Sequence, residues 1–389
     1  MTGFNILFLV SSEGHYGIEN MLVALARNLT ALGCGCIVGV FCDARAPHTE
    51  VGQEAKRLGL TAEWVHCKGR IDRGAVKRIR RLLAEYEIDV VHPHGYKADL
   101  YAYAAALPNR VALLATSHNW PSKRLDMRTY AALDRLVLRR FDGVVAVSAP
   151  VQDTLRRWGV REERLTLIPN GVDVERFQYA MPTLRKETGT TDGALVGFVG
   201  RLVPDKGGAL LLRAAQKVLA ARPNTQFVFV GEGPSRPDWE RLAAELGIAR
   251  SVVFTGTRSD MPGVYASIDI LALPSLVESM PMCMLEAMAA SKAVAAARVG
   301  AIPEIIIPER TGLLLAPGDV NGLAQAILRL VENPRLAGEL GRNACLQVQQ
   351  NYSAQAMAKA YVERYQAIIA RRNAASPMRS RVKADAGCM

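Results

Sequence analysis

The sequence predicts an α/β protein made of two doubly wound domains. Three observations carry that expectation. Short apolar runs alternate with helix-period stretches along almost the whole chain, the pattern of parallel sheets with helices on both faces. The rhythm breaks across residues 169–194 and then restarts. The length, 389 residues, is about two domains at ~100–200 residues each.

The first strand is Asn5–Val10, followed by the loop Ser11–Gly17. A helix then carries Leu22, Leu25, Leu29 and Leu32 on one face and stops at Gly33. Further strands of the first half are Cys36–Phe41, Ala62–Val65, Ile88–His92, Ala112–Ser117, Gly143–Val147 and Leu165–Ile168. After the turn Pro169-Asn170-Gly171 and a polar stretch, the second half supplies Leu195–Val199, Gln226–Val230, Ser251–Thr255, Asp269–Ala272, Ala293–Ala297 and Gly312–Leu315. The chain closes on helices at Gly322–Glu332, Pro334–Gln350 and Ala354–Arg371. The expected division is therefore a domain at 1–175, a domain at 176–370 whose last helix packs back on the first, and a flexible basic tail at 371–389.

Composition limits the function. Half the residues are hydrophobic and 22% are charged, enough to build large cores. No run of ~18 apolar residues is long enough to cross a bilayer. Phe4–Val10 is too short for a signal peptide and has no basic residue before it. Seven cysteines, odd in number and without C-x-x-C spacing, predict a reducing cytoplasm, and Cys34 and Cys36 are expected simply to pack. The net charge is +11, which admits nucleic acid, an anionic membrane or phosphorylated small molecules. Residues 1–177 carry 24 Lys and Arg against 19 Asp and Glu, so neither half owns the excess. It is locally dense at Lys68–Arg81, where Val76, Ile79, Leu83 and Tyr86 are expected to pack inward and leave the cations outside.

Ligands of open α/β sheets bind at the carboxyl ends of the strands, so the loops there hold the chemistry. Gly200-Arg201-Leu202-Val203-Pro204-Asp205-Lys206-Gly207 follows the first strand of the second domain. Its glycines allow close backbone approach, and Arg201, Lys206 and the helix start near Gly207 form a coherent diphosphate site. A solvated turn with two surface cations fits the same residues equally. Pro274–Met288 is a strand end running into a helix, with Ser279 or Met280 at the cap and Pro281 in the first turn. Amides of Ser279, Met280 and Met282 would meet phosphate oxygens. Glu278 at the mouth and Glu286 inside the helix suit sugar hydroxyls and a ribose diol. The spacing alone does not decide, because Glu232 and Glu240 repeat it. Smaller glycine loops place Gly14, Tyr16 and Gly17 after the first strand, Gly231 after another, and Gly256-Thr257-Arg258 at a third, where Arg258 would line a base pocket. G-x-G-x-x-G is missing, which opposes a dehydrogenase. His92, His94 and His118 stand at strand ends of the first domain. They lack a cysteine or carboxylate cluster at zinc spacing, so no metal is expected.

Taken in order, Gly17-Ile18-Glu19, Asp89–His94, Val147-Ser148, Pro169–Asp173, Gly200–Gly207, Gly231–Pro234, Pro274–Met288 and Arg310–Leu314 resemble the signature segments of the retaining nucleotide-sugar glycosyltransferases of family 4, group 1. The resemblance runs over roughly residues 5–370. It implies the GT-B fold, two Rossmann-like domains facing a cleft, and transfer of a sugar from a UDP- or GDP-type donor to an acceptor hydroxyl with retention. By resemblance, Arg201 and Lys206 hold the diphosphate, Glu278 the transferred sugar, Glu286 the ribose and Gly17 the donor phosphates. His118 approaches the reacting carbon, and His92, His94 and Tyr16 face the acceptor side. No metal or other cofactor is implied. A glycan or lipid-linked acceptor of bacterial-type cell-surface polysaccharide, lipopolysaccharide or glycolipid synthesis is expected, with a cytoplasmic location and peripheral contact to an anionic membrane through Arg73–Arg81. Nucleic acid is not expected. Two departures concern specificity: Glu278-Ser279-Met280-Pro281 replaces the usual Glu-Gly-Phe-Gly, and Tyr16 stands where another glycine is common. The competing readings are an epimerase or phosphorylase of the same fold, which an incubation with donor alone would separate, and a two-lobed solute-binding protein, which would need export.

Overall fold

The computed structural model describes residues 3–11, 17–43, 49–69, 72–107, 111–118, 125–190 and 192–374, with main chain only over 125–131. These residues form two compact units, divided after Pro169 and again before Gln355. The division falls six residues before the expected 175/176 boundary. The last helix belongs with the first unit, while Asn170–Ala354 forms the second.

Unit 1 runs β1 (Asn5–Val10), α1 (Gly17–Ala31), β2 (Gly35–Cys42), α2 (Glu50–Arg57), β3 (Thr61–His66), α3 (Arg73–Glu85), β4 (Val90–His94), α4 (Tyr96–Ala106), β5 (Ala112–Ser117), α5 (Leu125–Leu138), β6 (Gly143–Ala146), α6 (Ala149–Arg157) and β7 (Leu165–Leu167). Its seven strands are parallel in the order 3-2-1-4-5-6-7. Their apolar runs exist because both faces are covered: Ile6–Val10 are buried throughout. Helix α3 starts where Asp72 accepts from the amides of Gly74 and Ala75.

Unit 2 runs α7 (Val174–Gln178), β8 (Leu195–Val199), α8 (Gly208–Ala221), β9 (Gln226–Val230), α9 (Arg236–Glu245), β10 (Val252–Gly256), α10 (Met261–Ser267), β11 (Ile270–Leu273), α11 (Met282–Ala289), β12 (Ala293–Ala297), α12 (Ile302–Ile305), β13 (Leu313–Leu315), α13 (Val320–Glu332) and α14 (Pro334–Asn351). Its six parallel strands lie in the order 10-9-8-11-12-13. Phe198 and Phe229 stack with centroids 5.1 Å apart, and Trp239 of α9 meets Phe198 edge-on at 5.7 Å. Each such buried ring contributes about 1.5–3 kcal/mol. Helix α15 (Ala354–Ala374) closes the described chain, with all but its first residue in unit 1.

Both sheets reverse their strand order at one point, between β1 and β4 and between β8 and β11. Doubly wound sheets place ligands at the carboxyl ends of those strands. The chain leaves β4, β8 and β11 at these two points through segments picked out by sequence, while residues 12–16 after β1 lie outside the described residues.

Several expectations are corrected. Strand β4 covers Val90–His94 rather than ending at His92, because Pro93 pairs in register with Leu9 without interrupting the strand. Leu32 is exposed, since α1 ends at Ala31 before its face comes round. In α3 the buried positions are Ala75, Ile79, Leu82 and Leu83, while Val76 and Tyr86 are only half-buried. Cys34 and Cys36, by contrast, pack as expected: both are buried, and burial pushes the Cys36 thiol up to about 12. The segment 371–374 is the helical end of α15, and residues 375–389 lie outside the described residues. Among the described residues no helix is long and apolar enough to cross a membrane.

Candidate active site

In unit 2 the loops after β8 and β11 are locked together. The amide of Leu276 donates to the Asp205 carbonyl at 2.8 Å. Gly207 takes φ +72°, and a Cβ there would stand 2.1 Å from the Pro274 carbonyl oxygen. Only glycine meets both demands. The same loops bring Lys206 Nζ to 2.6 Å from Glu278 Oε1. The Ser275 hydroxyl donates to that oxygen at 2.9 Å. Glu278 is 8% exposed, so the carboxylate is held by a cation and a hydroxyl in a nearly dry place. Gly300, at φ +53°, packs against the Glu278 carbonyl, and Ala301 N donates to Ser279 O at 3.1 Å.

Pro281, not Ser279 or Met280, takes the cap of α11, with extended backbone and no side-chain cap bond. Pro281 disfavours helical backbone at Met280, so the helix does not begin before the proline. The first amides of a helix have no intrahelical acceptor, so the end near Glu278 offers N–H groups and partial positive charge. The Met280 side chain is buried, and its sulfur accepts from the Asn170 amide at 3.1 Å. Met282 is also buried. Both side chains are core, leaving only main chain to meet a ligand.

Glu286 lies one turn into α11 and is 5% exposed. The Tyr265 hydroxyl donates to its Oε2 at 2.7 Å. Burial pushes the Glu286 carboxyl up to about 7, against the lowering pull of Tyr265 and the charge of Arg176. The rival pair is disposed of by α9: Arg236 bonds Glu240 at 2.7 Å and also binds Glu232. Those two carboxylates share one guanidinium near the surface, whereas Glu278 and Glu286 are buried.

Arg201 is exposed and has no carboxylate partner among the described residues. Gly200 and Gly231, at φ +154° and +133°, bring two strand ends so close that a Cβ on Gly231 would stand 2.1 Å from Gly200 O. Arg258, expected to line a base pocket, is ion-paired within unit 2. Asp260 holds it with two bonds of 2.8 Å and Glu187 holds it at 2.7 Å, so its charge is already met.

Unit 1 gathers three histidines. His92 is fully buried, with Nδ1 2.6 Å from the Tyr365 hydroxyl and Nε2 2.7 Å from Thr116 Oγ1. Both its nitrogens are engaged in the core, so it does not face an acceptor, contrary to expectation. His94 Nδ1 lies 2.9 Å from His118 Nε2. His94 Nε2 and His118 Nδ1 are buried without a partner among the described residues. Burial lowers the His118 pKa to about 4 and holds His94 well below the usual imidazole range, so the pair is neutral near pH 7. One imidazole must then donate N–H to the other, which ties the tautomer of His118 to that of His94. Gly17 opens α1. Gly14 and Tyr16 lie outside the described residues.

Sequence reading missed Tyr265, Ser275 and the α15 tyrosines. Ser275 stands in the motif already singled out. Tyr265 sits on a different helix, and no local pattern ties it to Glu286.

Two family models match the chain, "Glycosyltransferase Family 4" over residues 16–176 and "Glycosyl transferases group 1" over residues 193–333. A GDP-mannose-dependent alpha-(1-6)-phosphatidylinositol monomannoside mannosyltransferase of Mycolicibacterium smegmatis is 30% identical over 287 residues, 68% of this chain and 72% of that one. A 2-deoxystreptamine glucosyltransferase of Streptomyces kanamyceticus is 31% identical over 219 residues, and the match spans 54% of this chain and 57% of its length. The crystal structure of Anabaena HepE with UDP and glucose superposes with TM-score 0.83 at 24% identity, covering 94% of this chain and all of that one.

Proposed function

Because the chain belongs to the group 1 glycosyltransferases of family 4, with the two-sheet GT-B fold, we propose that it moves a sugar from a nucleoside-diphosphate donor to an acceptor hydroxyl with retention of configuration. The observation that carries this reading is the Lys206–Glu278 contact at the switch point of the second sheet. It sets a cation where a diphosphate would lie and a buried carboxylate where a sugar would lie.

In this reading the C1–O bond to the β-phosphate breaks as the acceptor oxygen bonds to C1. The acceptor proton passes to the leaving phosphate oxygen. The barrier is charge separation between an oxocarbenium-like sugar and the departing diphosphate. Lys206 has three N–H donors and spends one on Glu278, which leaves two for phosphate. Arg201, the α11 amides and the α8 terminus add positive potential at the same edge. These groups neutralise the leaving group without calling on a metal. Glu278 accepts sugar hydroxyls, and Glu286, braced by Tyr265, accepts the two ribose hydroxyls. In this reading His118, which follows β5 in unit 1, is the histidine assigned to the donor sugar, and its Nε2 lies 2.9 Å from His94 Nδ1.

The donor nucleotide in this reading is UDP or GDP. HepE was crystallised with UDP, and the mycobacterial relative is GDP-mannose-dependent. The acceptor is a glycan or lipid-linked alcohol. Exposed Arg73 and Lys77 on α3 would bring the enzyme to an anionic surface. Incubation of the purified chain with UDP-, GDP- and ADP-sugars and hexosyl acceptors tests the reading. Nucleoside diphosphate release that depends on acceptor, with an α product from an α donor by proton NMR, supports it. Inversion, or conversion of donor without acceptor, overturns it.

A further inference from the structure

Unit 1 carries a second basic site, at the sheet edge opposite its histidines. Arg140 lies three residues before β6, Arg164 immediately precedes β7, and Leu113 is the second residue of β5. In parallel strands these positions lie at the amino edge, whereas His94 and His118 lie at the carboxyl edge. A cavity of about 450 Å³ opens there, and five of its nine lining residues are arginines: Arg139, Arg140, Arg161, Arg164 and Arg372.

The arginines are positioned mostly by main chain. Arg164 Nη1 donates to the carbonyls of Arg139 and Phe141 at 3.1 and 3.0 Å. Arg139 donates to Trp158 O, and Arg140 to Leu136 O. A carbonyl fixes a guanidinium without cancelling its charge. Of the five, Arg372 meets Asp142 at 2.6 Å, and Arg161 lies 3.8 Å from Glu163 with both side chains more than half exposed. Like charges around one cavity repel, and among the described residues Arg139, Arg140 and Arg164 have no carboxylate partner. An anion with several oxygens relieves that repulsion, and guanidinium forks fit phosphate in bidentate fashion. Leu107, 65% exposed on the rim, gives the cavity an apolar lip.

We propose that this arginine cavity is a binding site for a phosphate-bearing group, separate from the transfer site. The chemistry suits a soluble phosphate or diphosphate and a phospholipid headgroup alike. The test uses the full chain carrying Lys206→Ala, so that the donor loop does not contribute. Inorganic pyrophosphate is titrated by calorimetry, and phosphatidylglycerol vesicles are sedimented against phosphatidylcholine vesicles, the vesicle arm also carrying Arg73→Glu and Lys77→Glu. Saturable pyrophosphate binding, or retention on phosphatidylglycerol only, is expected, with at least tenfold weakening in Arg140→Glu/Arg161→Glu. Among the described residues these two side chains meet one carbonyl and one exposed carboxylate, and turnover of the double variant with Lys206 intact reports its fold. Pyrophosphate binding alone assigns a soluble ligand, and vesicle binding alone assigns a headgroup. Binding of neither probe, or binding undiminished in the double variant, overturns the proposal.

Discussion

Lys206 and Glu278 lie 2.6 Å apart, 72 residues apart in sequence, with Glu278 buried and Lys206 partly open to solvent. The contact makes each residue's role depend on the other. Lys206→Ala removes a donor to the diphosphate and strands a buried carboxylate. Loss of one preorganised charge of this type costs about 10²–10³ in kcat. Stability should fall too, by less than the ~3–5 kcal/mol of a fully buried broken pair, because Lys206 is 28% exposed. Glu278→Gln in the same chain should restore part of the lost stability and none of the activity. Steady-state turnover and urea unfolding of the two single variants and the double variant read this out. Additive stability losses would show that the pair is not coupled.

The second prediction concerns pH. Glu286 needs to be ionised to accept two ribose hydroxyls, and burial holds its carboxyl at about 7. Below that pH the ionised fraction falls about tenfold per unit, so donor KM should rise by the same factor while kcat changes little. Tyr265→Phe deletes the hydroxyl that favours the carboxylate. The acid limb should therefore move to higher pH. The linkage sign is opposite for stability. The folded form holds this proton more tightly than the unfolded chain, so its contribution falls as pH rises from 4.5 to about 7. A KM profile flat between pH 6 and 8 would remove Glu286 from donor binding.

The third prediction tests the histidine pair. If His94 fixes the tautomer of His118 through their 2.9 Å contact, His94→Ala should lower kcat about 10–100-fold, within the range of a positioned proton-handling group, with donor KM nearly unchanged. His94→Asn, whose amide reaches the same place as Nδ1, should recover part of kcat. Equal losses in both variants, or a loss confined to KM, would make His94 a packing residue.

The strands and helices were legible because their signals are local. Asn5–Val10, Ala112–Ser117 and Leu195–Val199 are recovered to the residue, since each is an apolar run closed by a turn. The loops were legible for a related reason: the carboxyl ends of parallel strands can be named once the alternation is seen. What the sequence did not carry is pairing across space. It offered Arg258 as a ligand group, yet Glu187 and Asp260 meet its charge. It placed His92 toward an acceptor, yet Tyr365, 273 residues away, claims Nδ1. It could not tell Glu232/Glu240 from Glu278/Glu286 by spacing. The difference lies in Arg236 on one side and burial beside Lys206 and Tyr265 on the other.

The fourth prediction isolates the fit between the two donor loops. Gly207 and Gly247 both sit in unit 2 at φ +72°, so an alanine at either pays the same left-handed strain, about 1 kcal/mol. Their surroundings differ. A Cβ at Gly247 meets nothing within 4 Å, while a Cβ at Gly207 would stand 2.1 Å from the Pro274 carbonyl oxygen. That atom is backbone, so the loop after β11 has to shift to admit it, and Glu278 and Lys206 shift with it. Gly247→Ala should lower unfolding free energy by about 1 kcal/mol and leave kcat/KM alone. Gly207→Ala should cost about 1–3 kcal/mol more, as overpacking does. It should also cut kcat/KM by an order of magnitude or more, a loss typical of ~1 Å misplacement. Equal stability and equal turnover for the two variants would mean that the contact between Gly207 and Pro274 does not set the geometry of the Lys206–Glu278 pair.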